Sequence, residues 1–486
     1  MTTFSVYQKL LVLGLFSATI FFGFFRLSES PPLNADEGYF IQSATNSAEF
    51  GIQGLQLAPS YIDPLSATNS SGYPLTYTLG LWFKIFGAGI LNGRILMVFF
   101  LLGFVALSFV LVRKMYGNAM AIATLALIAT FPPLYGNGKA VMGEMPGMFF
   151  MVASLFLFHR AIHATSRKTV WIMVAGIFAG LFIATKVAFI LCIPALAVIA
   201  FVEWRRKSLP YRDIGVAVIS TLVPIVILIV SKFQPGDSLS TVLSFYANPS
   251  HISNLSETVL KNVKALFTDV GPLYTTGMIS IWFVSLCVRW RTKIKIASIE
   301  AAAFVFVVLN VLSFTRTAGF YRYLFPAQII SLVFFPHALS IVLETLSRTL
   351  RVLKKPMIFT ICIVVLSVFG LYQLCFDSYV ADAYDSHKIA ELQSYFDTIP
   401  ATTTVFFYNS EGLVPFFQGR NYYQYLMFFN QEDWTAGSEN LQVLMSGEAD
   451  LIVSGVHSAG DEKAGVFDKY VTLRTFDKVT IMERRK

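Results

Sequence analysis

Apolar runs about the length of a membrane crossing alternate with short polar connections over the first 376 positions. They fall at 9–26, 90–112, 118–134, 144–162, 170–185, 187–204, 214–232, 273–288, 297–314, 323–346 and 357–376. The two runs on either side of Lys186 are short and read as one broken helix or as a pair. Two intervals are too long to be simple connections: a first loop at 27–89 and a second at 233–272. Inside the first, Tyr73–Gly87 is apolar but too short to span, and its aromatics with the single Lys84 predict a helix lying in the membrane interface. Beyond Phe376 the pattern changes. Short β-type runs appear at Thr404–Tyr408 and Leu451–Val453, with helical periodicity near 386–398 and 431–446. The expected fold class is an α-helical polytopic membrane domain, 1–376, with about eleven spans, followed by a small α/β domain, 377–486.

Charge orients this pattern. Clusters at Arg113/Lys114, Arg160/Arg167/Lys168, Arg205/Arg206/Lys207/Arg212, Arg289/Arg291/Lys293/Lys295 and Arg348/Arg351/Lys354/Lys355 each close or follow an even-numbered span. All five then share one side, which the positive-inside rule makes the cytoplasm. The N-terminus is expected inside, with the first loop and the domain after Phe376 extracytoplasmic, on a plasma (inner) membrane protein. The chain is 55% hydrophobic and only 14% charged, so its net charge of +8 reflects these clusters and predicts no nucleic-acid partner. The cysteines, Cys192, Cys287, Cys362 and Cys375, lie in or beside apolar runs without metal-ligand spacing. No small-residue cleavage site follows the first run, which reads as a retained anchor.

Charged residues at membrane depth are costly and mark function by default. Asp36 and Glu37 follow the first run and the helix-ending pair Pro31/Pro32. Acids at a membrane surface can serve as general bases, or simply cap an interfacial helix. Glu144 opens the fourth run two residues before Pro146, where an acid complements the helix dipole, and Lys139 is close enough in sequence to pair with it. Lys186 is the sole charge between Lys168 and Glu203. A lysine at a helix break snorkels to headgroups, or joins free backbone N–H groups in binding phosphate. Arg316, Arg322 and Tyr323 oppose the positive-inside trend; they read as an interfacial anchor or, since arginine binds phosphate bidentately, as a phosphate site. Arg94 opens the second run and faces either a first-loop carboxylate or a headgroup. Acids and cations gathered on one side suit a phosphorylated, lipid-borne substrate. No Walker loop, zinc signature or nucleophile elbow appears.

Six segments, in order over residues 10–346, make the chain resemble the glycosyltransferase-C superfamily, in the branch of the protein O-mannosyltransferases and the aminoarabinose transferase of lipid A. They are DEGYF at 36–40, GYPLTYTLGLWFKIFG at 72–87, GRILMVFFLLG from 93, KAVMGEMPGMFF from 139, GIFAGLFIATKVAFILCIPAL from 176 and FYRYLFPA from 320. Tyr73 departs from the His or Lys that many members carry before the proline. The resemblance implies a prokaryotic enzyme that takes a sugar from a polyprenyl-phosphate donor and transfers it, with inversion, to an acceptor hydroxyl on a lipid, protein or polysaccharide. It implies Asp36 as base, with Glu37 and Glu144 positioning the base or sugar. Lys186, Arg322 and Tyr323 would hold the carrier phosphate, and Arg94, Lys139 and Tyr39 would complete the substrate site. No cofactor is expected, although the three acids have the chemistry to converge on a divalent cation. The competing readings are a flippase or transporter of a lipid-linked sugar, which predicts mid-membrane polar groups and repeated halves, and a non-catalytic scaffold.

Overall fold

The computed structural model describes residues 4–64, 71–232, 252, 254–350, 355–427, 435–455, 465–476 and 478–485. Half of the expected second loop (233–251 and 253), part of the first (65–70), Arg351 and Lys354 of the last basic cluster and the start of the 431–446 helix lie outside the described residues.

The membrane part contains α1 (Val6–Phe24), the first-loop helices α2 (Ala35–Phe50) and α3 (Tyr73–Phe86), then α4 (Ile90–Tyr116), α5 (Asn118–Ala129), α6 (Pro132–Lys139), α7 (Glu144–His163), α8 (Lys168–Thr185), α9 (Cys192–Arg205) and α10 (Tyr211–Lys232). Within the expected second loop lies α11 (Leu255–Thr268), and α12 (Val270–Arg291), α13 (Ser298–Phe314), α14 (Phe325–Leu350) and α15 (Lys355–Phe376) follow. Among the described residues, nine helices are long and apolar enough to span, or ten if the bent pair α5–α6 is one span. Each of the eleven expected runs is helical, but α13 is a 17-residue helix, too short for that test. The chain is thus a multi-pass membrane protein.

Two breaks have clear causes. The run at 118–134 bends by 65° between α5 and α6. Pro132 and Pro133 lack the N–H groups a continuous helix would use. The carbonyls freed there are taken up: the Tyr135 hydroxyl donates to Ala129 O at 2.8 Å, and Phe131 N to Ile128 O at 3.2 Å. At Lys186 the backbone is extended (φ −150°, ψ 130°) between α8 and a 3₁₀ turn, Val187–Leu191. The first loop plugs this gap. Ser71 forms an isolated antiparallel bridge with Lys186, and Gly72 N donates to Thr185 O at 2.9 Å. A Cβ on Gly72 would lie 1.9 Å from Ala184 O, so only glycine admits this approach.

The C-terminal part begins with α16 (Tyr379–Asp385) and α17 (Lys388–Phe396) and continues with a six-stranded mixed sheet and α18 (Leu441–Ser446). Its strands are β3 (Val405–Tyr408), β4 (Tyr422–Met427), β5 (Thr435–Ala436), β6 (Leu451–Ser454), β7 (Tyr470–Phe476) and β8 (Val479–Arg484), ordered β5-β4-β3-β6-β8-β7. The central strands β4, β3 and β6 are parallel. The expected strands 404–408 and 451–453 are β3 and β6.

The sheet docks on the first loop. A loop hairpin, β1 (Leu55–Ala58) and β2 (Tyr61–Asp63), lies against it. Gln424 Nε2 donates to Gln56 O at 2.5 Å, Asn440 Nδ2 to Leu57 O at 2.8 Å, and Gln56 Nε2 to Arg420 O at 2.8 Å. One apolar cluster joins Ile41 of α2, Leu75 and Phe83 of α3 and Met97 of α4 to Phe396, Phe407, Phe416 and Val453. The basic connections occupy the other end of the bundle. There Arg289 forms a buried pair with Glu300 (2.6 Å), Tyr116 OH also donates to Glu300, and Arg206 reaches Ile296 O.

Candidate functional site

The site grows from the first turn of α2. Asn34 caps the helix, its side chain accepting from Asp36 N at 2.9 Å. Asp36 and Glu37 follow in the first turn, where the helix dipole favours acids. One residue apart on a helix, they point about 100° apart and meet different surroundings. Asp36 keeps 46% of its side chain exposed, and its Oδ2 lies 2.7 Å from Arg322 Nη1. Glu37 is fully buried. It takes two parallel 2.8 Å bonds from Arg94 Nε and Nη2, and a third from Val141 N at 3.1 Å. Arg94 is also fully buried, and its Nη1 donates to Leu27 O at 3.0 Å.

A second cluster adjoins Asp36. Glu144, the first residue of α7, is ion-paired with Lys186 from the break after α8. The Lys186 Nζ lies 5.5 Å from the centroid of the Tyr323 ring. The Arg322 guanidinium carbon lies 5.2 Å from the same centroid, and Arg322 Nη2 reaches the Tyr323 hydroxyl at 3.5 Å. Both residues belong to a 3₁₀ turn, Tyr321–Tyr323, which ends one residue before α14. Lys186 and Arg322, far apart in sequence, thus flank one aromatic ring. Burial disfavours the Arg322 charge, but Asp36, Tyr323 and Glu144 outweigh it and hold the guanidinium ionised. Two buried atoms here have no hydrogen-bond partner: Arg322 Nε, a donor, and Glu144 Oε2, an acceptor.

Not every expected site residue joins this group. Lys139 does not pair with Glu144. It is fully buried, its Nζ donating to Phe25 O at 3.2 Å and Phe22 O at 3.5 Å near the C-terminal end of α1 and lying 4.8 Å from the Tyr384 ring centroid. Arg94 faces Glu37, the first of the two partners expected for it, and has no exposed surface to offer a headgroup. Tyr39 packs with Leu55, Leu57 and Leu426 where the hairpin meets the sheet. Arg94, Lys139 and Tyr39 are thus engaged by partners within the fold, and Glu37 by Arg94 and Val141 N. The capping Asn34 and the bridging Ser71 add two residues to those expected from the sequence. Asn before an acidic first turn is a readable start signal, whereas nothing local marks Ser71.

A cavity of about 740 Å³, lined by Glu29, Gln42, Glu49, Asp397, Arg420 and Tyr422 among others, contains none of Asp36, Glu144, Lys186 and Arg322. Among the described residues no group of three or more His, Cys, Asp or Glu is placed to hold a metal ion.

Comparisons with known proteins follow the same outline. The family model of dolichyl-phosphate-mannose-protein mannosyltransferase matches residues 74–228, about a third of the chain. Among curated proteins compared by sequence, none matches. ArnT from Cupriavidus metallidurans bound to undecaprenyl phosphate superposes with a TM-score of 0.63 at 12% identity, covering 97% of each chain. Its apo state gives 0.64 at 12% identity, covering 98% of each. The oligosaccharyltransferase AglB from Archaeoglobus fulgidus, in complex with an inhibitory peptide and a dolichol-phosphate, gives 0.57 at 12% identity over 93% of this chain and 69% of that one. The chain therefore has the fold of the glycosyltransferase-C superfamily, the superfamily its sequence resembles.

Proposed function

We propose that this protein is a membrane glycosyltransferase that moves a sugar from a polyprenyl-phosphate carrier to an acceptor hydroxyl on the extracytoplasmic side, with inversion at the anomeric carbon. The observation that carries the proposal is the joining of a half-exposed carboxylate to two cations that share one aromatic ring. The solved complex of a same-fold protein with undecaprenyl phosphate supports the choice of donor.

Lys186 and Arg322 hold the carrier phosphate, as an ammonium point charge and a planar fork respectively. Arg322 Nε, left without a partner, is a donor ready for a phosphate oxygen. Arg322 already pairs with Asp36, so an arriving phosphate competes for the guanidinium and frees the carboxylate. Asp36 then removes the acceptor hydroxyl proton as the oxygen attacks the anomeric carbon. The bond from that carbon to the phosphate oxygen breaks, and its electrons leave on the phosphate, where the two cations offset the charge. A phosphate leaving group needs no acid, so one base suffices. Glu144 fixes the Lys186 ammonium and presents its free Oε2 to sugar hydroxyls. No metal ion is assigned a step.

The test combines purified protein in nanodiscs with undecaprenyl-phosphate-linked mannose, glucose and arabinose, and compares cell-envelope glycans with and without the gene by mass spectrometry. Release of undecaprenyl phosphate from one donor, with loss of a matching glycan in the deletion, supports the assignment. Unchanged glycans together with translocation of an intact lipid-linked sugar would replace the transferase by a flippase.

A further inference from the structure

The C-terminal domain reaches the helix turn that carries the candidate base. A 3₁₀ turn, Glu411–Phe416, follows β3 and packs on α2. Two glycines make the approach possible. A Cβ on Gly38 would lie 2.3 Å from Gly412 Cα and 2.7 Å from Glu411 O, and one on Gly412 would lie 3.4 Å from Ala35 Cα. Behind the turn, Leu413, Val414 and Phe416 enter the same apolar cluster as Ile41 of α2, and Ser410 Oγ donates to Val453 O at 2.6 Å. The turn is therefore fixed from both sides, and Glu411 is fixed over the helix turn that carries Asp36.

Glu411 has no ion-pair partner among the described residues. The charged groups on the helices packed against its turn are Asp36, Glu37 and Glu49 of α2 and Lys388 and Glu391 of α17. Glu37 is bound to Arg94 and Glu49 to Arg420, and Asp36 is the neighbour whose charge acts on Glu411. Burial and that charge push its carboxyl above the usual range, against the opposing effect of its own backbone N–H.

We infer that Glu411 is the proton relay of the transfer reaction: it takes from Asp36 the proton that Asp36 removes from the acceptor hydroxyl, and releases it to water. The inference rests on Asp36 being the base. The acceptor loses one proton to Asp36 as its oxygen bonds the anomeric carbon. The carrier phosphate leaves with the electron pair of the broken carbon–oxygen bond. The proton then passes from the Asp36 carboxyl to the Glu411 carboxylate, regenerating the base, and Glu411 gives it up to the aqueous phase. An acceptor seated on Asp36 covers that residue's own exposed face, and the Arg322 guanidinium on its other side carries no acceptor site. A carboxylate on the turn packed against the start of α2, holding a proton more tightly than an ordinary one, suits the transfer.

The first test needs no substrate. Carbodiimide coupling of Glu411, followed by peptide mass spectrometry across pH, should show a midpoint above that of exposed carboxylates. In Asp36→Asn that midpoint should fall by about half a pH unit or more, because a like charge is gone. An unchanged midpoint would place Glu411 out of reach of Asp36 and overturn the relay. The second test is turnover of the undecaprenyl-phosphate sugar that proves active. Glu411→Gln should lower turnover about 10-fold or more, leave donor affinity unchanged, and move the acidic limb of the pH–rate profile to lower pH. Added formate should restore part of the rate, and Glu411→Asp should retain part of it. A Glu411→Gln enzyme with wild-type turnover and pH profile refutes the relay while leaving Asp36 as base. A fall in turnover that tracks a lower unfolding midpoint, with the pH profile unmoved and no formate rescue, makes the residue purely structural and also refutes it. An active Asp36→Asn enzyme instead removes the reading on which the relay stands.

Discussion

Glu37→Gln separates anchoring from chemistry at the adjacent acids. The substitution preserves shape and removes one charge. In the wild type the Glu37 carboxylate accepts three bonds, two from Arg94 and one from Val141 N, with neither partner of the ion pair exposed. The substituted amide can still accept one or two of these bonds. The Arg94 guanidinium, however, stays at the same depth without a counter-charge, keeping Leu27 O and Ser28 O as its acceptors. Breaking a buried pair from one side costs about 3–5 kcal/mol, and the retained bonds place this variant near the lower figure, about 3 kcal/mol. Removing both partners, as in Glu37→Leu with Arg94→Leu, leaves no stranded charge and should cost less than the two single losses added together. The assay is reversible unfolding in mixed micelles followed by tryptophan fluorescence, with donor binding measured at a temperature where each variant is folded. A Glu37→Gln protein as stable as wild type but inactive would refute the anchoring role and return Glu37 to the reacting groups.

Asp36→Asn should lower turnover by about 100-fold or more with donor affinity retained; normal turnover would exclude Asp36 as the base. Lys186→Ala and Arg322→Ala should each weaken donor binding by about 1.5–3 kcal/mol, the worth of a charged hydrogen bond, seen by titration with undecaprenyl phosphate; unchanged affinities would place the carrier elsewhere. Thr402→Cys, at an exposed position of the C-terminal domain, should react with an impermeant thiol reagent in spheroplasts of a cysteine-free variant; protection there would invert the topology. Glu411 adds a pH dependence to stability. Its folded-state pKa is raised, so ionising it disfavours the native state. Wild type should therefore match Glu411→Gln below the unfolded carboxylate value of about 4.3 and lose stability relative to it as pH rises from there through the raised value.

Run length and charge position made the bundle legible, because a span must be apolar over a fixed distance whatever it packs against. Lys186 was legible for the same reason: one charge in an apolar run demands an explanation. The rule does not name a charge's partner. Arg94 and Lys139 are charges at membrane depth, yet each is satisfied inside the fold, by a carboxylate 57 residues away and by the carbonyls of Phe22 and Phe25. Such partners are set by tertiary packing, which no local pattern records. The 17-residue α13 and the bend before Pro132 explain why eleven apolar runs do not become eleven straight spans. Glu411 was invisible in the sequence. It opens the 3₁₀ turn after β3, and tertiary packing, the Gly38–Gly412 approach and the cluster around Ile41, brings that turn to α2.

The docking of the sheet on the first loop imposes an order of assembly. During synthesis Asp36 emerges long before its seat exists. Asn46, Glu49 and Gln56 must wait for Arg420, 364 to 374 residues later, and Leu57 must wait for Asn440. A chain made from its N-terminus folds early segments first, so α2 can pair with Arg94 once α4 is inserted, while its hairpin side stays uncovered. A ribosome that stops before the codons for β4 and α18 would leave a membrane bundle with its acids and cations complete and the hairpin beside them unsupported. Completion of the last strands thus doubles as a checkpoint, withholding a fully ordered reaction centre from a half-made protein.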